Sequence, residues 1–302
     1  MGTGVYLASL KGEDGNPRLL NAGVVYANGR YLGHAVKTLQ PNYRMFDDDR
    51  HFFSQRKVAL EQERKVQKSL APFSVPLKDG RKIRVGVTLC EDIWHEFYAI
   101  NPTEILAKKG ADIICNLSAS PWTWQKNRKR QQIVSKLTKS CNVPLVYANN
   151  TGAQNTGKNI IVFDGCSTAY DNKGKVVFEV PAYVDGTYDF VWQENMSVIP
   201  EAVQNDTKEL YQAVRCAAQE FFALLPREKR KVLVGLSGGI DSSLSAALYV
   251  DILGRNNVVG INMPSKFSSD QTKSLAKRLA ENLGIAYEIH PIQEIVDTIA
   301  AP

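Results

Sequence analysis

The sequence predicts an α/β protein, and three observations carry that reading. Short β-branched runs alternate with helical stripes along most of the 302 residues. Val232–Leu236 is a short apolar run, as a parallel strand covered on both faces requires. A tight turn, Ser237-Gly238-Gly239, and a helix over Ser242–Leu253 follow it directly, which is the repeating unit of parallel sheets.

Residues 4–192 read as one alternating unit. Val5–Leu10, Leu19–Ala27 and Tyr31–Ala35 are strand-like, and Asn28-Gly29 supplies a hairpin turn. Ile83–Leu89 is a β-branched run that leads straight into Cys90. A helix over Ile105–Lys109, a strand over Asp112–Leu117 and a long polar helix over Gln125–Cys141 come next. That helix carries Ile133, Leu137 and Cys141 on one face. Val143–Asn149, Ile160–Phe163, Ser167–Tyr170 and Val176–Val180 continue the strands, with a turn at Asn172-Lys173-Gly174, and Tyr188–Trp192 closes the set. The polar stretch 193–204 reads as a linker between a domain over 1–192 and a second over 205–302. Asp206–Leu225 is an amphipathic helix with Leu210, Val214, Ala217, Phe221 and Leu225 on one stripe, stopped by Pro226. Leu244, Ala247, Leu248 and Ile252 mark the face of the next helix. Val258–Met263, Asp270–Leu283 and Ala286–Ile289 form a further βαβ pattern, with Gly284 placed to end its helix. A last helix starts near Gln293.

Composition excludes several classes. A hydrophobic fraction of 44% with 23% charged residues is that of a globular protein, and no apolar run reaches membrane-spanning length. The N-terminus lacks the basic and apolar regions of a secretory signal. The five cysteines are odd in number, irregularly spaced and without a C-x-x-C pair, so a disulfide framework and a zinc site are not expected and a reducing, cytoplasmic setting fits. The net charge of +6 gathers at Lys126–Arg130 and Arg227–Lys231 without aromatic platforms between. That pattern suits solvated helix faces and an anionic nucleotide rather than a nucleic-acid polymer.

Two segments carry chemistry. In VGLSGGIDSSL (Val234–Leu244), glycines let backbone N–H groups approach a phosphate, and the helix start adds positive potential. Ser237 and Ser242 can donate hydroxyl hydrogen bonds, and Asp241 can ligate a magnesium ion carried in with ATP. No Lys follows the glycines, so this is not a Walker A loop. The segment resembles the pyrophosphate loop, SGGxDS, of the N-type ATP pyrophosphatases, which cleave ATP between its α- and β-phosphates. The second segment is Cys90, at the C-terminal end of a predicted strand and followed by Glu91 and Asp92, a polar setting unsuited to a core thiol. Cys115, Cys141, Cys166 and Cys216 keep the ordinary reading of buried, inert thiols.

GVTLCEDIW around Cys90 resembles the nucleophile segment of the nitrilase superfamily, as found in glutamine-dependent NAD synthetases. KTLQPNYRMFDDDRHF resembles the family's catalytic-lysine segment, and SASP (Ser118–Pro121) and NIIVFDGCSTAYDNKG (Asn159–Gly174) match further along. MPSKFSSDQTKSLAKRLAENLGI (Met263–Ile285) resembles the segment after the ATP loop in those synthetases. The resemblance implies a nitrilase-like αββα sandwich followed by part of a Rossmann-like, parallel-sheet adenine nucleotide alpha hydrolase domain. It implies Cys90 as nucleophile and Lys37 as the ammonium that stabilises thiolate and oxyanion. Tyr43, Ser120 and Lys126 would hold L-glutamine, with Asp48 as a supporting acid in place of a family Glu. Ser237, Gly238, Gly239, Asp241, Ser242, Met263 and Ser265 would bind ATP, and Asp241 its magnesium. The overall reaction implied is amidation of nicotinic acid adenine dinucleotide to NAD, in a protein whose relatives form homo-oligomers.

No Glu occupies the family's general-base segment, which lies upstream of the strand that GVYLASL resembles. The sequence is thus expected to lack the family's first strand, first helix and base, and much of the synthetase domain beyond Pro302. A different carboxylate acceptor, or an ATP-binding fragment without catalysis, are the alternatives. Gly152–Lys158 spells G-x-x-x-x-G-K but is followed by Asn159 and a β-branched run, so it reads as a loop of the amidase domain.

Overall fold

The computed structural model describes residues 2–11, 15–157, 159–193, 196–200 and 205–300. Lys158, the last residue of the G-x-x-x-x-G-K string, and much of the expected linker lie outside them. The chain forms two compact units, Met1–Gly152 with Ile161–Leu210 and Ala153–Ile160 with Tyr211–Pro302.

The first unit begins with an antiparallel sheet of β1 (Gly2–Lys11), β2 (Pro17–Ala27) and β3 (Arg30–Val36). Its β2–β3 turn places both Asn28 (φ 49°) and Gly29 (φ 73°) in the left-handed region, the type I′ geometry that suits twisted hairpins. Three short helices follow, α1 (Asp48–His51), α2 (Gln55–Glu61) and α3 (Val66–Ser69). The second sheet of this unit runs in the order β11-β10-β7-β6-β5-β4. Its strands are β4 (Phe73–Pro76), β5 (Lys82–Leu89), β6 (Ile113–Ser118), β7 (Leu145–Asn149), β10 (Thr168–Tyr170) and β11 (Val176–Glu179), with β5, β6 and β7 parallel. Between them in sequence lie α4 (Pro102–Lys108), α5 (Lys126–Cys141) and a two-stranded ladder of β8 (Thr151–Asn155) and β9 (Ile160–Asp164).

Period-two alternation sends β2 both ways. Leu20 joins Val36 and Val58 under α2, whereas a Cβ on Gly23 would sit 3.1 Å from Val87 and Leu117 of the second sheet. The other face of that sheet packs Ile114, Leu145, Tyr147 and Tyr170 against Leu106 of α4 and Val134 and Leu137 of α5. The result is helix, sheet, sheet, helix, the sandwich that the resemblance implied.

In the second unit α6 (Asp206–Ala223) leads to a parallel sheet of β12 (Val232–Gly235), β13 (Val258–Asn262) and β14 (Ala286–Ile289). Between and after these strands come α7 (Ile240–Leu253), α8 (Asp270–Leu283) and α9 (Gln293–Ala300). Val234, Leu236, Ala246, Val258, Ala276, Ala280 and Ile285 make its core. Among the described residues no helix is long and apolar enough to cross a membrane.

Four expectations are corrected. Tyr188–Trp192 forms no strand; Phe190 instead stacks on Phe178 at 4.6 Å, so ring packing rather than a ladder holds that segment. On α6 the buried residues are Ala213, Cys216 and Phe222, and Leu210, Val214 and Phe221 lie on the exposed flank. On α7 the buried residue is Ala246, with Leu244 exposed. Both helices carry apolar groups on more than one side, so periodicity alone does not select the face that packs. The loop expected over Gly152–Lys158 is partly strand, since Thr151–Asn155 pairs with β9 as a hairpin.

Candidate active site

Cys90 stands at the C-terminal end of β5, where the chain turns at once into a 3₁₀ turn, Cys90–Ile93. Its φ of 41° is left-handed, a conformation that costs a non-glycine residue about 1 kcal/mol and turns the partly exposed thiol out of the sheet. Asp92 holds this corner. One of its oxygens accepts from the Leu89 N–H at 2.9 Å, and the other accepts from Thr38 and Leu39 N–H at 3.1 and 2.8 Å. A single buried carboxylate therefore ties the Cys90 turn to the segment that follows Lys37.

Lys37 is 4% exposed at the end of β3. Its N–H donates to Asn21 O at 2.8 Å, its carbonyl accepts from Gln55 at 3.0 Å, and its ammonium lies 2.5 Å from an Asp48 oxygen on α1. Burial alone would lower its pKa, but the Cys90 thiolate, Asp48 and Asp92 outweigh burial and hold it above the ordinary lysine value. It stays an ammonium beside the thiol.

Glu91 is 5% exposed and accepts from the phenols of Tyr43, at 3.0 and 3.2 Å, and Tyr98, at 3.1 Å. Burial raises its pKa, opposed by both tyrosines, Lys37 and Lys126. Burial and Glu91 push both phenols well above their usual value, so they remain donors. Lys126, the first residue of α5, carries its ammonium 5.8 Å from the ring centres of both Phe46 and Trp94. Burial, aided by Arg130, lowers its pKa against the pull of Cys90, Asp164 and Glu91. Ser120 is buried, with its N–H on Asn149 Oδ1 at 2.8 Å. Lys37, Cys90, Tyr43, Glu91 and Lys126 thus surround one thiol with two ammoniums, a carboxylate and aromatic walls.

In the second unit Ser237–Gly239 joins β12 to α7, with Gly239 as N-cap. Ser237 Oγ lies 3.3 Å from Ser242 Oγ and accepts from Gly239 N–H at 3.2 Å, and Ser242 Oγ donates to Gly239 O at 3.1 Å. Gly238 has φ 85°, and a Cβ there would lie 2.2 Å from Thr272 O of α8, so only glycine fits. Met263 and Ser265 follow β13, Met263 half exposed and Ser265 turned back to accept from Phe267 N–H at 3.3 Å. Asp241 is exposed in the first turn of α7. Among the described residues no group of three or more His, Cys, Asp or Glu could hold a metal. A magnesium ion at Asp241 would therefore draw its other oxygens from phosphates and water, its usual habit.

The carbon-nitrogen hydrolase family model matches residues 3–189. The chain belongs to the carbon-nitrogen hydrolase family. Within this family member, a second model, NAD synthase, matches residues 224–301. A glutamine-dependent NAD(+) synthetase of Synechocystis sp. is 34% identical over 301 residues, covering 95% of this chain and 49% of that protein. Its counterpart in Aquifex aeolicus is 31% identical, covering 92% of this chain and 50% of that protein. The solved structure of a glutamine-dependent NAD+ synthetase from Acinetobacter baumannii, bound to adenosine diphosphate, superposes with a TM-score of 0.79 at 27% identity, covering 99% of this chain and 52% of that one. The chain spans about half the length of the relatives it matches.

Sequence reasoning used Glu91 and Asp92 only as a polar setting for Cys90 and gave neither a role of its own. Their adjacency was the available signal, and a pair of buried carboxylates beside a nucleophile is the structural outcome. Phe46 and Trp94 lie within the two segments that carry the resemblance but were given no role, and Tyr98 and Asn149 carried no such signal.

Proposed function

We propose that this chain carries the two active centres of a glutamine-dependent NAD synthetase. The observation that supports it most is the Cys90 corner. Buried Glu91 and half-buried Lys126 beside the thiol suit a zwitterion, with Glu91 accepting from the α-ammonium of L-glutamine and Lys126 and Ser120 meeting its other end. Cys90 Sγ then adds to the side-chain amide carbon, and the Lys37 ammonium stabilises the oxyanion. The C–N bond breaks, ammonia leaves with a proton, and water cleaves the thioester to glutamate. At the SGGIDS loop, the carboxylate of nicotinic acid adenine dinucleotide attacks the α-phosphorus of ATP, and pyrophosphate leaves toward the Gly238 cradle. Ammonia displaces AMP from that adenylate to give NAD. Asp241 would help hold a magnesium ion, which would supply positive charge to offset that of the pyrophosphate.

Near the thiol, Asp92 is engaged by three backbone N–H groups and Asp48 by Lys37. Glu91 is taken up by two phenols and the substrate ammonium, so none of the three carboxylates described near the thiol is free to take its proton. Purified chain is therefore expected to turn over glutamine slowly, since a positioned base is worth ~10²–10⁴-fold. The test is mass spectrometry after treatment with a glutamine-derived chloroketone. Saturable modification at Cys90, slowed by glutamine, supports the reading; modification at another cysteine overturns it. Use of nicotinic acid adenine dinucleotide as acceptor is checked separately, by AMP release in its presence with ammonia supplied.

A further inference from the structure

A buried polar chain links α5 to the Ser118–Pro121 loop. Arg130 sits on α5 one turn beyond Lys126 and is 2% exposed. Its Nη2 donates to Asp164 Oδ2 at 2.7 Å and to Asn127 Oδ1 at 2.8 Å, and Nη1 donates to Asp164 Oδ1 at 3.3 Å. Its guanidinium lies 4.9 Å from the Tyr147 ring centre. Asp164, at the end of β9 and 3% exposed, accepts from Asn149 Nδ2 at 3.2 Å. Asn149 closes β7, and its amide clasps Ser120 in both directions. Oδ1 accepts from Ser120 N–H at 2.8 Å, and Nδ2 donates to Ser120 O at 3.2 Å.

The chemistry permits one orientation of that amide. Flipped, Asn149 would present its oxygen to the Asp164 carboxylate and to Ser120 O, and its NH₂ to the Ser120 N–H, three repulsive pairs in place of three bonds. The charge on Asp164 thus reinforces the orientation that holds Ser120. Arg130 keeps that charge neutralised in a buried place, and through its own helix anchors Lys126. A buried ion pair adds little stability over apolar residues of equal volume. What this one supplies is fixed geometry between an α5 side chain and the Ser118–Pro121 loop.

We propose that Asn149 is a positioning residue for the glutamine pocket, its amide oriented by the Arg130–Asp164 pair so that Ser120 and Lys126 are presented together. The inference rests on the glutaminase reading of that pocket. It predicts an effect on substrate capture and not on the nucleophile.

The experiment measures alkylation of Cys90 in the full chain against concentration of the glutamine-derived chloroketone, which yields a half-saturating concentration and a limiting rate. Iodoacetamide, which needs no pocket, reports the thiol alone. Asn149→Ala is expected to raise half-saturation at least tenfold, with the limiting rate and the iodoacetamide rate within twofold of wild type. The double variant R130M/D164L, which replaces the ion pair by apolar groups and guards against a folding failure of the first, is expected to do the same. Arg130→Lys, which retains a donor toward Asp164, should remain within threefold. Saturable labelling of the wild type with half-saturation unchanged in Asn149→Ala or R130M/D164L overturns the positioning role alone. A parallel fall in the iodoacetamide rate also overturns it, because the nucleophile corner would then have moved. Wild type without saturable, glutamine-protected labelling overturns the pocket reading itself and this inference with it.

Discussion

Cys90 and Asp92 set opposing demands on two neighbouring positions. The left-handed φ of Cys90 is tolerated by glycine without strain. Cys90→Gly is therefore expected to stabilise the fold by about 1 kcal/mol in urea titration while abolishing chloroketone labelling; a loss of stability would refute stored strain. Asp92 is an acid with a raised pKa. Burial lifts it from 3.8 to about 6, and the N–H groups of Leu89, Leu39 and Thr38, with Lys37, offset only part of that. The folded state then binds the Asp92 proton more tightly than the unfolded state. Its contribution to stability is most favourable below the unfolded pKa and declines as pH rises through the window from 3.8 to about 6, levelling above it. The decline is of order 3 kcal/mol, at about 1.4 kcal/mol per pKa unit. Denaturation of wild type and Asp92→Asn across that window should show wild type losing stability relative to the variant as pH rises; a relative gain would contradict the burial account.

At the scale of elements, the turn between β12 and α7 is set by a helix that comes later in the chain. The string SGG suggests a phosphate cradle without showing why Gly238 must lack a side chain. The reason is Thr272 O on α8, with the φ of 85° as a second constraint. Gly238→Ala is expected to cost roughly 2 kcal/mol, read as a lowered melting temperature, and to weaken ATP binding measured by calorimetry. Unchanged melting would show that α8 can give way. The first turn of α8 is itself capped by Ser269, whose Oγ accepts from Thr272 N–H at 3.2 Å. Ser269→Ala should cost about 1 kcal/mol, checked by the urea midpoint. Helix faces were less legible than helix positions. Phe221 and Phe222 are adjacent on α6, and periodicity alone does not say which one meets Tyr249; the structure chooses Phe222, ring centres 5.9 Å apart.

At the scale of the whole molecule, the second unit exposes large apolar side chains, Leu233 on β12 and Ile299 on α9 among them, at 69% and 80%. Exposed apolar surface of this kind promotes association. Purified chain is expected to scatter light increasingly with concentration, and L233K/I299K to reduce that scattering with the melting temperature preserved. Equal scattering from the double variant would assign self-association to another surface.

The sequence by itself determined the α/β class, the hairpin at Asn28-Gly29, and the order in the chain of the Cys90 and SGGIDS segments, because each rests on local periodicity or on residues adjacent in the chain. Only the tertiary structure decided that Lys37 meets Asp48 and Cys90, that Glu91 takes two phenols, that Asp92 bridges to Thr38 and Leu39, and that Asn149 clasps Ser120. Those pairings join segments from seven to 54 positions apart. Their geometry follows from how sheets stack and helices lie across them, which no local pattern encodes.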